Sequence, residues 1–211
     1  MKQKIISCLF GLLLLISCSN SDDKKESNKK EDTAGLKKET KKDKVEANTQ
    51  KPPILNITDT ISPKKIIVYC KDSASSFERI NIKLAQIYGA KLAACFKKNG
   101  LKSTGQPMAW YITRKAPYFF EAGIPVNKKP AKLTAGVMVR ELRTDSAVIA
   151  HFYGPYNLTH VGYEALEEWL KDHKRTAIGS PFEVYITDPI DKKGNRVDPY
   201  RVQTDIVFPR R

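Results

Sequence analysis

The chain has 211 residues, and its 37 Lys and Arg against 23 Asp and Glu give a formal net charge of +14. From Ile66, where apolar patterning becomes dense, residues 66–211 carry 23 Lys and Arg against 14 Asp and Glu, a net of +9 in a length ordinary for one compact domain. That excess is scattered, no helix carries a continuous basic stripe, and no helix-turn-helix or zinc-finger spacing occurs, so the composition argues against nucleic acid as a partner and fits a polyanionic cell envelope.

The chain opens on Lys2 and Lys4 followed by an apolar run from Ile5 to Ser17, a secretory signal in its proportions. The run is shorter than the roughly 20 residues that a membrane-spanning helix needs. It ends Leu15-Ile16-Ser17-Cys18, which resembles the bacterial lipobox. That resemblance implies cleavage before Cys18, a diacylglycerol on its sulfur, and a stable membrane anchor once more than one acyl chain is attached. Ser19 does not match the aspartate that retains enteric lipoproteins in the inner membrane, and Asp22-Asp23 resembles acidic export signals, so an outer-membrane location is expected with its face left open. Residues 18–63 read as a disordered lysine-rich tether. Between Asp22 and Pro53 ten lysines face eight acidic residues, with too little apolar surface to offset the entropy of ordering. The expected organisation is therefore a signal peptide at 1–17, a tether at 18–63 and a domain at 64–211.

Within the domain, Ile66 to Cys70 is an apolar run of strand length. Ser75 with Glu78 three residues later resembles a capping box. Phe77, Ile80, Leu84, Ile87, Leu92, Cys95 and Phe96 then recur at helical spacing up to Gly100. Strands are predicted from Pro107 to Thr113 and from Tyr118 to Pro125. Further strands are predicted at Gly136–Arg143 and Ser146–Tyr153, a helix after Asn157, and final strands at Pro181–Asp188 and Val202–Pro209.

An ungapped offset of 74 residues superposes the two halves. It brings Leu84 onto Leu158, Ile87 onto Val161 and Leu92 onto Leu166. It also brings Gly105-Gln-Pro-Met-Ala-Trp-Tyr-Ile-Thr113 onto Gly179-Ser-Pro-Phe-Glu-Val-Tyr-Ile-Thr187, with five of nine positions identical. The unit is strand-helix-strand-strand, present twice. The fold class is α+β: duplicated units forming a curved, mostly antiparallel sheet with two helices on one face and a cleft on the other. Strand alternation groups Met108, Trp110, Phe182 and Val184 on one face, expected under the helices, and Ala109, Tyr111, Glu183 and Tyr185 on the other, expected in the cleft. Glu183 in one copy stands where the other has Ala109, between Tyr111 and Tyr185. An acid flanked by tyrosines suits a flat cation or a polar aromatic molecule.

Several stretches occur in one order: Phe119-Phe-Glu-Ala-Gly-Ile-Pro-Val126, Val137 to Leu142, His151-Phe-Tyr-Gly-Pro-Tyr156, Phe182-Glu-Val-Tyr-Ile-Thr-Asp-Pro189 and Thr204-Asp-Ile-Val-Phe-Pro209. Together they resemble the GyrI-like small-molecule-binding domain, the effector-binding module of some bacterial transcription activators, which is related to the SOUL haem-binding fold. The resemblance implies the duplicated fold and a cleft for amphipathic, often cationic, aromatic molecules. Its pocket glutamate carries over to Glu183, and its Gly-Pro-Tyr turn to Gly154, Pro155 and Tyr156. It also implies an alternative, hydrolysis of small reactive electrophiles with Glu183 as base and Tyr111 or Tyr185 as proton donor. A haem-binding or purely structural envelope lipoprotein is a second alternative. No cofactor is expected: the three histidines, His151, His160 and His173, share no metal-ligand spacing. Export makes a disulfide between Cys70 and Cys95 chemically allowed, with two buried free thiols the favoured reading, and the sequence leaves both their pairing and the oligomeric state open.

Overall fold

The computed structural model describes residues 51–211. The signal segment, Cys18 and most of the expected tether lie outside the described residues. Eight strands form one sheet, entirely antiparallel in its pairings. They are β1 (Ile54–Ser62), β2 (Lys65–Ala74), β3 (Met108–Tyr111), β4 (Tyr118–Val126), β5 (Met138–Leu142), β6 (Asp145–Tyr153), β7 (Phe182–Tyr185) and β8 (Gln203–Pro209), in the spatial order β1-β6-β8-β7-β3-β4-β2-β5. The first helix runs as α1 (Phe77–Gln86), a π-helical stretch (Ile87–Leu92) and α2 (Ala93–Asn99); the second is α3 (Thr159–Asp172). The α+β class and the duplicated strand-helix-strand-strand unit are those expected from the repeat.

Helix ends follow local chemistry. Ser76, one residue past the expected cap, accepts from the Arg79 amide. Gly100 closes α2 at φ 57°, a left-handed turn in which the Leu101 amide reaches back to the Phe96 carbonyl.

The connections require the sheet to curl. β1 and β2 are six strand positions apart, as are β6 and β5, yet each pair is joined by two residues, Pro63–Lys64 and Arg143–Thr144. Flat, six positions would span roughly 29 Å at about 4.8 Å per strand, whereas such a connection reaches about 11 Å at most. The two connectors also meet: the Lys64 amide donates to Thr144 Oγ1 at 3.2 Å. On the concave side, Ile67, Tyr69, Met108, Trp110, Ala147, Phe182 and Val207 come together from strands that a flat sheet would hold apart. On the convex side the first helix packs over β2 and β4, with Ile80, Ile87, Leu92 and Cys95 against Val68, Cys70, Phe120 and Ala122. The second helix packs over β6 and β8, with Leu166 and Leu170 against Val148, Phe152 and Ile206. Cys70 and Cys95 are free and buried in the same cluster, and burial pushes the Cys70 thiol pKa up.

Two expectations need correction. The stretch 54–62, assigned to the disordered tether, is strand β1, paired with β6 along its whole length from Ile54 opposite Tyr153 to Ser62 opposite Asp145. It is an edge strand whose side chains are mostly exposed, so it lacks the dense apolar alternation of a half-buried strand. The second correction concerns the direction of β3 and β7. Alternation grouped their residues correctly, but Met108, Trp110, Phe182 and Val184 face the concave core and not the helices. Ala109, Tyr111, Glu183 and Tyr185 lie on the helix side. A strand's period of two fixes which residues share a face and leaves open which face that is. Here both faces are apolar, because the curled sheet builds a core inside as well as under the helices.

Candidate functional site

Each helix covers the outer strands of its own unit, and the short central strands β3 and β7 lie between them. Ala109 pairs with Glu183 across this central ladder, and the same two residues are related by the offset of 74. The local two-fold relation of the repeat therefore passes through this pair. Tyr111 and Tyr185, also 74 apart, meet hydroxyl to hydroxyl at 2.9 Å.

Glu183 is only 4% exposed. Its Oε1 accepts from the Tyr163 hydroxyl of α3 at 3.2 Å, and Tyr185 supplies a second hydrogen bond. Among the described residues no lysine or arginine pairs with it. Burial pushes its pKa up to about 7, against the lowering effect of the two tyrosine hydrogen bonds. The rings around it respond in the same direction. Burial and the nearby carboxyl raise the Tyr156 pKa to about 12 and hold those of Tyr111, Tyr163 and Tyr185 above the ordinary range, so all four hydroxyls remain proton donors at neutral pH. Tyr156, from the expected Gly-Pro-Tyr turn, sets its ring edge-on to Tyr185 at 6.2 Å and 90°.

The ligand-binding candidates named from the sequence, Ala109, Tyr111, Tyr156, Glu183 and Tyr185, lie in this cluster. Thr113 does not: its hydroxyl organises the β3–β4 turn by accepting from the Phe119 amide and donating to the Pro117 carbonyl. Sequence reasoning missed two residues. Tyr88, in the π-helical stretch, donates to the Met108 carbonyl of β3 at 2.9 Å, and Tyr163 caps Glu183 from the other helix. The repeat held a signal for them, since the offset places Tyr88 on Gly162 and Gly89 on Tyr163, a tyrosine-glycine pair with its order reversed.

A second buried carboxylate shows how the fold handles an ordinary one. Glu121 on the concave side pairs with Arg140 and with Lys71 (3.1 Å), while Arg140 lies over the rings of Tyr69 and Trp110 at 4.1 and 4.7 Å. Glu183 has no such partners. His151 is engaged at both ring nitrogens, with Asp205 at 2.8 Å and Thr58 at 3.2 Å. Among the described residues no group of three or more His, Cys, Asp and Glu could hold a metal.

No protein-family model and no curated protein matches the chain. Solved structures do. The EcmrR C-terminal domain superposes with a TM-score of 0.62 at 22% identity, covering 75% of this chain and 98% of that one. This chain folds like that domain. EcmrR bound to DNA gives 0.61 at 23% identity over 74% of this chain, which spans only 57% of that longer protein. A conserved protein of Listeria innocua gives 0.50 at 12% identity, covering 77% and 93% of the two chains. These likenesses show that the chain shares the fold of the EcmrR C-terminal domain.

Proposed function

We propose that the protein binds a small amphipathic molecule, cationic and aromatic, between its two helices, with Glu183 as the counter-charge. The observation that carries this reading is a carboxyl group buried without a cation and ringed by tyrosines. Ionising such a group without compensation is unfavourable, and a ligand cation would supply the missing charge while its ring stacks on Tyr111, Tyr156 or Tyr185. The fold shared with the EcmrR C-terminal domain, and the resemblance of the sequence motifs to GyrI-like ligand-binding domains, are consistent with ligand capture.

The test is a fluorescence titration with a rhodamine dye. Glu183→Gln keeps the size and removes the charge, so affinity should fall by about 1–3 kcal/mol, the scale of a hydrogen bond to a charged group. Equal affinity in both proteins would overturn the proposal.

A pKa near 7 also suits a general base, and Tyr185 backed by Tyr111 offers a proton donor beside it. Hydrolysis of a small electrophile is therefore the second reading, and product formation that disappears in Glu183→Gln separates it from capture alone. We further propose that the lipobox-like Leu15-Ile16-Ser17-Cys18 anchors the chain through Cys18 to a membrane, the outer one in our reading. Mass spectrometry of the mature N-terminus should show an acylated cysteine, and Cys18→Ala should leave the protein unacylated.

A further inference from the structure

The concave side of the sheet is filled at one end by Tyr69, Met108 and Trp110 with the Arg140–Glu121 pair. Elsewhere a groove of about 260 Å³ remains, lined by Ile149, Phe182, Val184 and Val207 and by Ile61 and Lys65 beside the β1–β2 connection. Ile61 is 66% exposed there, an apolar side chain turned to water on a strand that otherwise carries many polar ones. The mouth of a curled sheet is a recurrent place for small-molecule sites.

The charges in this lining are unequal. Asp205 is tied down by hydrogen bonds, with His151 Nδ1 and Gln203 Nε2 each at 2.8 Å from its Oδ1. Lys65 is half-buried and has no carboxylate partner among the described residues. Its neighbour Lys64 instead pairs with Glu141 at 3.2 Å. Burial lowers the Lys65 pKa. An apolar groove with one unpaired cation in its lining is complementary to an anion carrying an aliphatic tail.

We propose that this groove binds a medium-chain aliphatic carboxylate, its charge on Lys65 Nζ and its tail against Phe182, Val184 and Val207. The volume, about 260 Å³, corresponds to roughly nine water volumes at about 30 Å³ each. A methylene occupies a similar space, so a tail of roughly eight to ten carbons fills the groove. This site is on the opposite face of the sheet from Glu183 and does not depend on the reading given to that residue.

Calorimetric titration of the full chain with decanoate tests the proposal. One decanoate should bind per chain, and binding should strengthen about threefold to fourfold for each methylene from hexanoate to decanoate. Lys65→Met should weaken decanoate at least tenfold, Lys65→Arg should hold it within about threefold, and Glu183→Gln should leave it unchanged. Decanol should bind no better to the native chain than to Lys65→Met. Should Lys65→Met fail to fold by circular dichroism, Val184→Phe, which narrows the groove and keeps the lysine, must weaken decanoate instead. Absence of saturable binding, equal affinity in native and Lys65→Met chains, or undiminished binding in Val184→Phe would overturn the proposal.

Discussion

Glu121 in β4 and Glu183 in β7, with β3 between them, are both buried carboxyls, and their surroundings assign them different work. Glu121 has two cations and is a structural ion pair. Glu183 has only hydroxyls, and burial moves its pKa from 4.5 to about 7. A carboxyl whose folded pKa lies above its unfolded one binds more protons when folded, so its contribution to stability is complete below pH 4.5 and is lost as pH rises through 7. The shift corresponds to on the order of 3 kcal/mol. Chemical denaturation between pH 4.5 and 8 should show the native chain losing stability relative to Glu183→Gln by about that amount, and the difference isolates the contribution of Glu183. A flat difference would show that the carboxyl is not held protonated. The glutamate itself was legible in the sequence, because the repeat set it against Ala109. The helix tyrosines around it were less so: Tyr88 and Tyr163 sit where periodicity marks the apolar stripe and says nothing of which tyrosine reaches over the stripe's edge to a strand.

At the level of elements, the repeat made the strand-helix-strand-strand order readable, and seven of the eight strands fall where apolar runs placed them. The π-helical stretch from Ile87 to Leu92 was not readable, since its side chains are ordinary for an α-helix. Such stretches recur at functional sites, and this one carries Tyr88 to the central strands. Two glycines distinguish helix from sheet. A Cβ at Gly89 would meet nothing within 4 Å, whereas one at Gly123 in β4 would lie 2.8 Å from the Val68 carbonyl oxygen and 2.7 Å from Ile67 Cγ2. Gly89→Ala should therefore be neutral or stabilising by up to about 1 kcal/mol, from helix propensity alone. Gly123→Ala should destabilise by about 1–3 kcal/mol or more, because the obstructing atom belongs to the backbone. Melting temperatures of the two variants check both signs.

For the molecule as a whole, the N-terminal boundary and the orientation of the central strands escaped the sequence. β1 escaped because an exposed edge strand shares the polar composition of a linker. Yet it joins the second half-core through Leu55 and is tied across the sheet by Asp59, which accepts from Arg210 Nε at 2.9 Å. Limited proteolysis should accordingly leave a core that begins before Ile54 and not at Ile66. A chain beginning at Lys65 should fold with a reduced melting temperature, and one beginning at Lys51 should melt as the full chain does. The inverted faces of β3 and β7 follow from the curl, which gives the sheet two interiors where a flat sheet has one. No local pattern reports on that, because it is set by two short connectors placed far apart in the chain.

The enclosure of Glu183 has a kinetic consequence. With 4% of the residue exposed and Tyr163 seated on its carboxyl, a ligand cannot reach the charge until a ring swings away. Binding through this site would be a two-step event in which a transient opening precedes capture, so the rate of binding at high ligand concentration would be limited by the rate of opening and not by diffusion. The hydroxyls that now solvate the carboxyl would be the same groups the ligand must displace. Apparent affinity would then be reduced by the fraction of time the cluster spends closed.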